Sequence, residues 1–493
     1  MTLSRRDLIR TIGLGLAAAG AAAENLACSA EPQSTTGGSD RLLVTRPGQP
    51  EPAPVGYDRL PIGWYKDATR RLKEKVKALG VDAILLQNDH NLVYFTGCFR
   101  ESGDRTTWAL FPVDEADTVY WYSPGIDRDL IESWWCSANE YYFCYPHAEG
   151  GFPNKGQVVA GRTVDLFEWM LAGLARRGLA GKTIGVDVPP SPARQASIQR
   201  ILPRTKVVDV GRTCLDMRIR KTREEIALTQ RAYRYFDRIH AFARDFILEH
   251  GTNTTDFEIG QALKVYGIQL MMRDVQRDGR PHTAVGIDVT SQYVRTGVAT
   301  GYPHPNQFFY SKVEPGDALY VNADILLGGY GGECYRNFAI APWTAPHEKL
   351  WQVVADTVQI MVEETRPGRA CSDVAFKVHD YQVKSGMAEH IYHRPGHGCG
   401  QNFEGHQPPF LSLGDHSAIE EGMVFSVEPG LYDTEQGIGV NPSDKLLVTK
   451  TGAVLMSRVP FSREWSFLKP QVGARGGARP ATGAVAFARG AGR

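Results

Sequence analysis

The sequence predicts an α+β chain of two domains, an α/β unit followed by a larger unit of long helices and strand clusters. Three observations predict this. At 493 residues the chain is too long for one compact core. Two Thr-x-x-Glu capping signatures, Thr222/Glu225 and Thr255/Glu258, open helices near its middle. The Val-, Leu- and Tyr-rich runs that follow come in clusters rather than as a regular βαβ repeat. With 42% hydrophobic and 22% charged residues, the composition is that of an ordinary globular protein. Lys+Arg and Asp+Glu number 55 each, so no long-range field favours nucleic acid or an anionic membrane, and a small uncharged or zwitterionic substrate fits better.

Taken in order, residues 1–30 carry Ser4-Arg5-Arg6-Asp7-Leu8-Ile9-Arg10 and an Ala/Gly/Leu stretch to Ala23, which reads as a twin-arginine export signal. The expectation is an exported protein of the periplasm or cell envelope, with the twin-arginine machinery as a partner. Cys28 is a candidate lipid-attachment residue, and cleavage after Ala23 or Ala30 is the alternative. No other run reaches the roughly 20 apolar residues of a membrane span. Residues 31–56 are rich in Ser, Thr, Gly and Pro, the composition of a flexible linker. The cysteines after Cys28 are irregularly spaced and form no CxxC pair, which gives no disulfide connectivity and argues against a thiolate zinc site.

Residues 57–215 form the first folded domain. Trp64, Ala68, Leu72, Val76 and Leu79 recur at helical spacing, and Gly80 stops the helix before an apolar strand at 81–86. Strands at 107–113, 118–122, 183–188 and 206–210 and a helix at 163–175 complete an α/β unit. Its aromatic residues (Trp121, Trp134, Trp135, Tyr141, Tyr142, Phe143) read as core and interface. The second domain, 216–469, opens on the Thr222 capping box, with a helix to about Gly251, a second from Thr255, a third at 372–385, and strands at 318–323, 423–427 and 445–449. From 470 to 493 the Gly/Ala/Arg composition reads as a disordered tail.

The chemistry concentrates in the second domain. Asn322 and Asp324 lie two apart on a strand and leave one face of it, and a glycine-rich turn brings Glu333 back beside them, with Arg336 three residues on. His397 stands in Gly396-His397-Gly398, with His406 nine residues later. Glu428 ends an apolar strand in Glu428-Pro429-Gly430, where a carboxylate is costly unless paired or coordinated. Ser443 follows in Asn441-Pro442-Ser443-Asp444.

In order and spacing these segments resemble the creatinase / aminopeptidase P / prolidase superfamily over roughly residues 60–465. The resemblance implies a creatinase-type α/β first domain and a pita-bread catalytic domain with a curved, mostly antiparallel sheet. The ligands of the family's two-metal enzymes match Asn322, Glu333, His397, Glu428 and Ser443, and a further family histidine that binds substrate or moves protons matches His304. Three of the five matched ligands depart from the family pattern. Glu333 and Glu428 supply two negative charges where the family's four carboxylates balance two ions, so a two-metal centre would bury an uncompensated charge costing several kcal/mol. The expectation is therefore one divalent ion of the Mn, Fe or Zn class, held by Glu333, His397 and Glu428 with Asp324 as a tentative fourth ligand, or no metal at all. The family's metal-free member, creatinase, also carries Asn at the place of Asn322, but its second catalytic glutamate falls at Tyr335.

The activity implied is hydrolysis of a C–N bond in a small or dipeptide-like substrate (Xaa-Pro peptide, amide or amidine). His304, Glu428, His397 and His406 are its catalytic residues, and Arg336 and Asn322 bind substrate; for Arg336 a structural hydrogen bond to the hairpin is the alternative. A metal-dependent lyase of the dimethylsulfoniopropionate-lyase type, using Asp324, and a non-catalytic binding protein are the alternative readings. The family's habit makes a homodimer the expectation.

Overall fold

The computed structural model describes residues 58–100, 104–143, 164–274, 288–290, 294–304, 310–401 and 404–470. The export signal with Cys28, the linker and the tail beyond Pro470 lie outside the described residues. Among the described residues no helix is long and apolar enough to cross a membrane.

The first domain begins with α1 (Ile62–Lys77), whose buried face is the predicted row of Trp64, Ala68, Leu72 and Val76. Leu79 lies past its end and is half exposed, because Gly80 at φ +68° turns the chain into β1 (Ala83–Leu86). Next come α2 (Asp89–Thr96), β2 (Trp108–Pro112), β3 (Tyr120–Pro124), α3 (Arg128–Glu132) and β4 (Ala138–Tyr142). The domain closes with α4 (Leu166–Arg176), β5 (Thr183–Val186), α5 (Pro192–Ile201), β6 (Lys206–Asp209) and α6 (Gly211–Ile219). The strands form one mixed sheet in the order β4-β3-β2-β1-β5-β6. Of the predicted aromatic core, Trp121, Trp135 and Tyr142 are buried, whereas Phe143 is exposed.

The second domain opens with α7 (Arg223–His250), where both halves of the capping box form: Thr222 Oγ1 accepts from Glu225 N at 3.3 Å, and Glu225 Oε2 accepts from Thr222 N at 2.7 Å. It continues through α8 (Asp256–Asp274), β7 (Asp288–Thr290), β8 (Arg295–Thr296), β9 (Ala318–Leu327), β10 (Tyr330–Ile340), α9 (Ala345–Glu364) and α10 (Cys371–Lys384). Then follow β11 (Gly396–Cys399), β12 (His406–Leu411), β13 (Val424–Ser426), β14 (Leu431–Asp433), β15 (Ile438–Val440), β16 (Lys445–Val448) and β17 (Ala453–Leu455). A short α11 (Arg463–Ser466) leads into β18 (Phe467–Leu468).

Two five-stranded sheets result, β18-β10-β9-β7 with β8 on the side of β9, and β12-β11-β13-β16-β17. All their pairings are antiparallel except β10 with β18. A bridge between Tyr335 and Ser443 joins them. Helix α7 braces the hairpin from behind: Tyr233 Oη donates to the Glu333 carbonyl and His240 Nε2 to the Cys334 carbonyl, both at 2.7 Å.

Candidate active site

The β9–β10 hairpin turns at Gly328 and Gly329, both at positive φ (+57° and +79°), as a two-residue hairpin turn requires. Its register sets Glu333 opposite Asp324 and Tyr335 opposite Asn322, so these four side chains share one face. The Tyr335 hydroxyl donates to the Glu333 carboxylate and fixes its orientation. Tyr335 also exchanges backbone hydrogen bonds with Ser443 (2.9 and 3.2 Å), which places fully buried Ser443 at the seam of the two sheets.

The glycines around His397 are demanded by close strand contact. A Cβ on Gly396 would lie 2.3 Å from the Ser426 carbonyl oxygen, and one on Gly398 would lie 2.6 Å from that of Gln407. The β11–β12 register shifts between His397 and Gly398, where Pro408 and Pro409 are extra residues on β12, and the imidazole stands between two carboxylates. His397 Nε2 lies 3.2 Å from Glu428 Oε2 and 3.7 Å from Glu333 Oε1. Its Nδ1 faces the Gly398 carbonyl at 3.0 Å. A carbonyl only accepts, so Nδ1 holds a proton, and Nε2 is the ring atom left to offer a lone pair to a cation or to share a proton with the carboxylates. Nε2 is buried and forms no well-aligned hydrogen bond.

One ligand atom each from Glu333, His397 and Glu428 thus falls within a 4.8 Å cluster. Three acceptors pointed at one another need a cation or shared protons between them, and a nitrogen with two carboxylates suits a divalent ion. Without a cation, burial and the Glu428 charge hold Glu333 well above the ordinary carboxylate range. Burial also pushes Glu428 upward, but in the cation-free site a proton on His397 Nε2 supplies a hydrogen bond and charge that outweigh it and bring Glu428 down to about 2. Glu428 is held from two further sides, its carboxylate by Ser426 Oγ at 3.1 Å and its backbone N–H by the Pro395 carbonyl at 2.7 Å.

His406 stacks on His397 with ring centroids 3.7 Å apart. Its Nδ1 lies 3.0 Å from Arg394 Nη2, which can only donate, so the His406 proton sits on Nε2. Burial and then the His397 charge push His406 down to about 4, which makes it a neutral donor near pH 7. His304 is exposed and lies within electrostatic reach of His406.

One expectation needs correction. Arg336 lies on the opposite face of β10 and is 1% exposed. Its guanidinium donates to Asp444 at 2.8 Å, to Ser457 Oγ and to the carbonyls of Tyr335, Ser443 and Val459, so it ties the two sheets together and offers a substrate nothing. Asp324 faces the site and raises Glu333 through its charge, and it lies outside the 4.8 Å cluster of Glu333, His397 and Glu428. Asn322 lies on the site face and is fully buried.

Sequence reasoning missed Tyr335 as a member of the site, although its even spacing from Glu333 placed it on the same face. It also missed Arg394, and Arg295, which stacks over the Tyr320 ring at 4.1 Å. Neither arginine carries a local signal.

Fold and site together define a two-domain protein of pita-bread architecture with a carboxylate–histidine centre on its antiparallel catalytic sheets. The family models agree with both halves: the Creatinase/Prolidase N-terminal domain matches residues 69–220, and metallopeptidase family M24 matches residues 222–450. The chain belongs to the creatinase / aminopeptidase P / prolidase superfamily. It is 23% identical to a putative dipeptidase, YkvY, of Bacillus subtilis, over 79% of this chain and 97% of that protein. It is also 23% identical to a creatinase of a Bacillus species, over 81% of this chain and 92% of that one. Among solved structures, a prolidase from Pyrococcus horikoshii superposes with a TM-score of 0.61 at 18% identity, covering 80% of this chain and 98% of that one.

Proposed function

We propose that the protein is an exported hydrolase that cleaves a C–N bond in a small zwitterionic or dipeptide-like substrate, at a site holding one divalent metal ion. The observation that carries this reading is the convergence of the His397 Nε2 lone pair with the Glu333 and Glu428 carboxylates. The names of the relatives, a putative dipeptidase and a creatinase, support the reaction class. When bound by Glu333, His397 and Glu428, a divalent ion supplies Lewis acidity toward a carbonyl and acidifies water.

The chain's own groups do the rest. Tyr335 holds Glu333 in place by its hydroxyl. Glu428 and Glu333 orient the water as it attacks. His406, fixed as a neutral Nε2–H donor, steadies the oxygen on which charge develops, and His304 carries the proton to the departing nitrogen. Neutral side chains at Asn322 and Ser443 favour one ion over two, since a second would meet too little negative charge.

Glu428→Gln tests the reading. Turnover of an Xaa-Pro dipeptide panel and bound metal should both be lost, and unchanged turnover would remove Glu428 from the mechanism. The export part rests on Ser4–Arg10 and the Ala/Gly/Leu stretch to Ala23. Arg5→Lys with Arg6→Lys should keep the protein in the cytoplasm, and continued export would refute the twin-arginine route.

A further inference from the structure

We propose that Arg295 is a positioning residue that suspends the turn carrying His304 over the site; the kinetic part of this inference rests on the hydrolase reading above, and the structural part does not. The segment Tyr302-Pro303-His304-Pro305 places prolines on both sides of the histidine. Each proline fixes its own φ and lacks a backbone N–H, so the position of His304 follows stiffly from that of residues 302 and 303, and Pro303 can be held by the backbone only through its carbonyl. Arg295 supplies the donor: its Nη1 bonds the Tyr302 carbonyl at 2.9 Å and the Pro303 carbonyl at 3.0 Å.

The arginine is itself fixed. It is 4% exposed. Its strand partner in the β8–β9 register is Tyr320, so both side chains leave the sheet face that carries Asn322, Asp324, Glu333 and Tyr335. The guanidinium lies over the Tyr320 ring, and Tyr320 packs against Tyr335 at 5.4 Å between centroids. Tyr335 donates to Glu333. The His304 turn and the carboxylate centre are therefore referenced to one another through Arg295, Tyr320 and Tyr335.

Upstream, the turn has a separate anchor. Thr300 Oγ1 donates to the Gly297 carbonyl at 2.8 Å, lies 3.2 Å from the Gly437 carbonyl and accepts from Gly439 N, and a Cβ on Gly301 would lie 2.7 Å from the Asp433 carbonyl oxygen. That anchor stops at residue 301. Tyr302 turns its side chain outward, 44% exposed, and contributes only its carbonyl. Among the described contacts, Arg295 is what holds the two residues next to the histidine.

The test uses the full-length protein with Arg295→Gln, Arg295→Lys and His304→Asn, each checked for folding by thermal melting. The His304 imidazole C2–H signal is identified by its disappearance in His304→Asn. In Arg295→Gln it should shift or broaden, with a smaller change in Arg295→Lys; an unmoved signal in a folded Arg295→Gln protein overturns the proposal whatever the reaction. In kinetics, Arg295→Gln should lower kcat roughly tenfold to a hundredfold, as small misplacements of a catalytic group do. Adding it to His304→Asn should cost nothing further, because the arginine acts through the histidine. Fully additive losses overturn the positioning role. So does a rise in KM confined to substrates with a free carboxylate at unchanged kcat, which would make Arg295 a substrate contact. A moved signal with His304→Asn fully active leaves Arg295 holding the turn and refutes instead the catalytic part given to His304.

Discussion

Replacing Arg336 by Met is expected to destabilise the second domain by about 3–5 kcal/mol, the usual cost of breaking a buried ion pair from one side. The magnitude follows from its surroundings. Arg336 is 1% exposed and Asp444 4%, so solvent cannot take over the lost contact. Removal of the guanidinium strands the Asp444 carboxylate and takes a donor from Ser457 Oγ and from three carbonyls, those of Tyr335, Ser443 and Val459. Asp444 keeps a bond from Ser457, which places the loss within that range rather than above it. The assay is urea unfolding followed by far-ultraviolet circular dichroism and tryptophan fluorescence, with the two domains fitted as separate transitions. Adding Asp444→Asn to Arg336→Met should return part of the loss, since no charge is then left buried. At low temperature, kcat/KM per folded molecule should stay near that of the unaltered protein. A stability loss below about 1 kcal/mol, together with a collapse of kcat/KM, would refute the reasoning and return Arg336 to the substrate.

Two other outcomes are expected. Restoring acidic groups with Asn322→Asp and Ser443→Glu should raise metal binding from one toward two ions per chain, measured by elemental analysis after dialysis; a folded double variant that still binds one would show that charge is not what limits the site. His240 is fully buried and held down to about 3, burial being the main cause. The unfolded chain binds this proton below about 6.5 and the folded one does not, so stability is complete above that value and declines toward pH 3. Between pH 7 and pH 5 the loss from His240 is about 2 kcal/mol, and in His240→Gln the corresponding slope of urea midpoints should flatten; an unchanged slope would contradict it.

The site was legible where its logic is local. Alternation along β9 put Asn322 and Asp324 on one face, and the glycine turn returned Glu333 to it, because a hairpin register is set by a few adjacent residues. The same rule, followed further, excludes Arg336: an odd separation from Glu333 sends it to the other face, and its partner Asp444 lies on a distant strand. Helix α9 was missed although Thr344 caps it through His347 N and Pro346 sits in its first turn. Strand β4 was hidden among aromatics read as core and interface. The pairing of Arg295 with Tyr320 joins segments separated by the turn at 297–304, and no spacing in the chain announces it.

The central claim is that Glu333, His397 and Glu428 form a single-ion centre. It is tested most directly by counting metal in the purified protein after saturation with Mn2+ or Zn2+ and removal of loosely bound ions. The account predicts close to one ion per chain, lost in His397→Ala and in Glu428→Gln. Two ions per chain, or one that survives both substitutions, would contradict it.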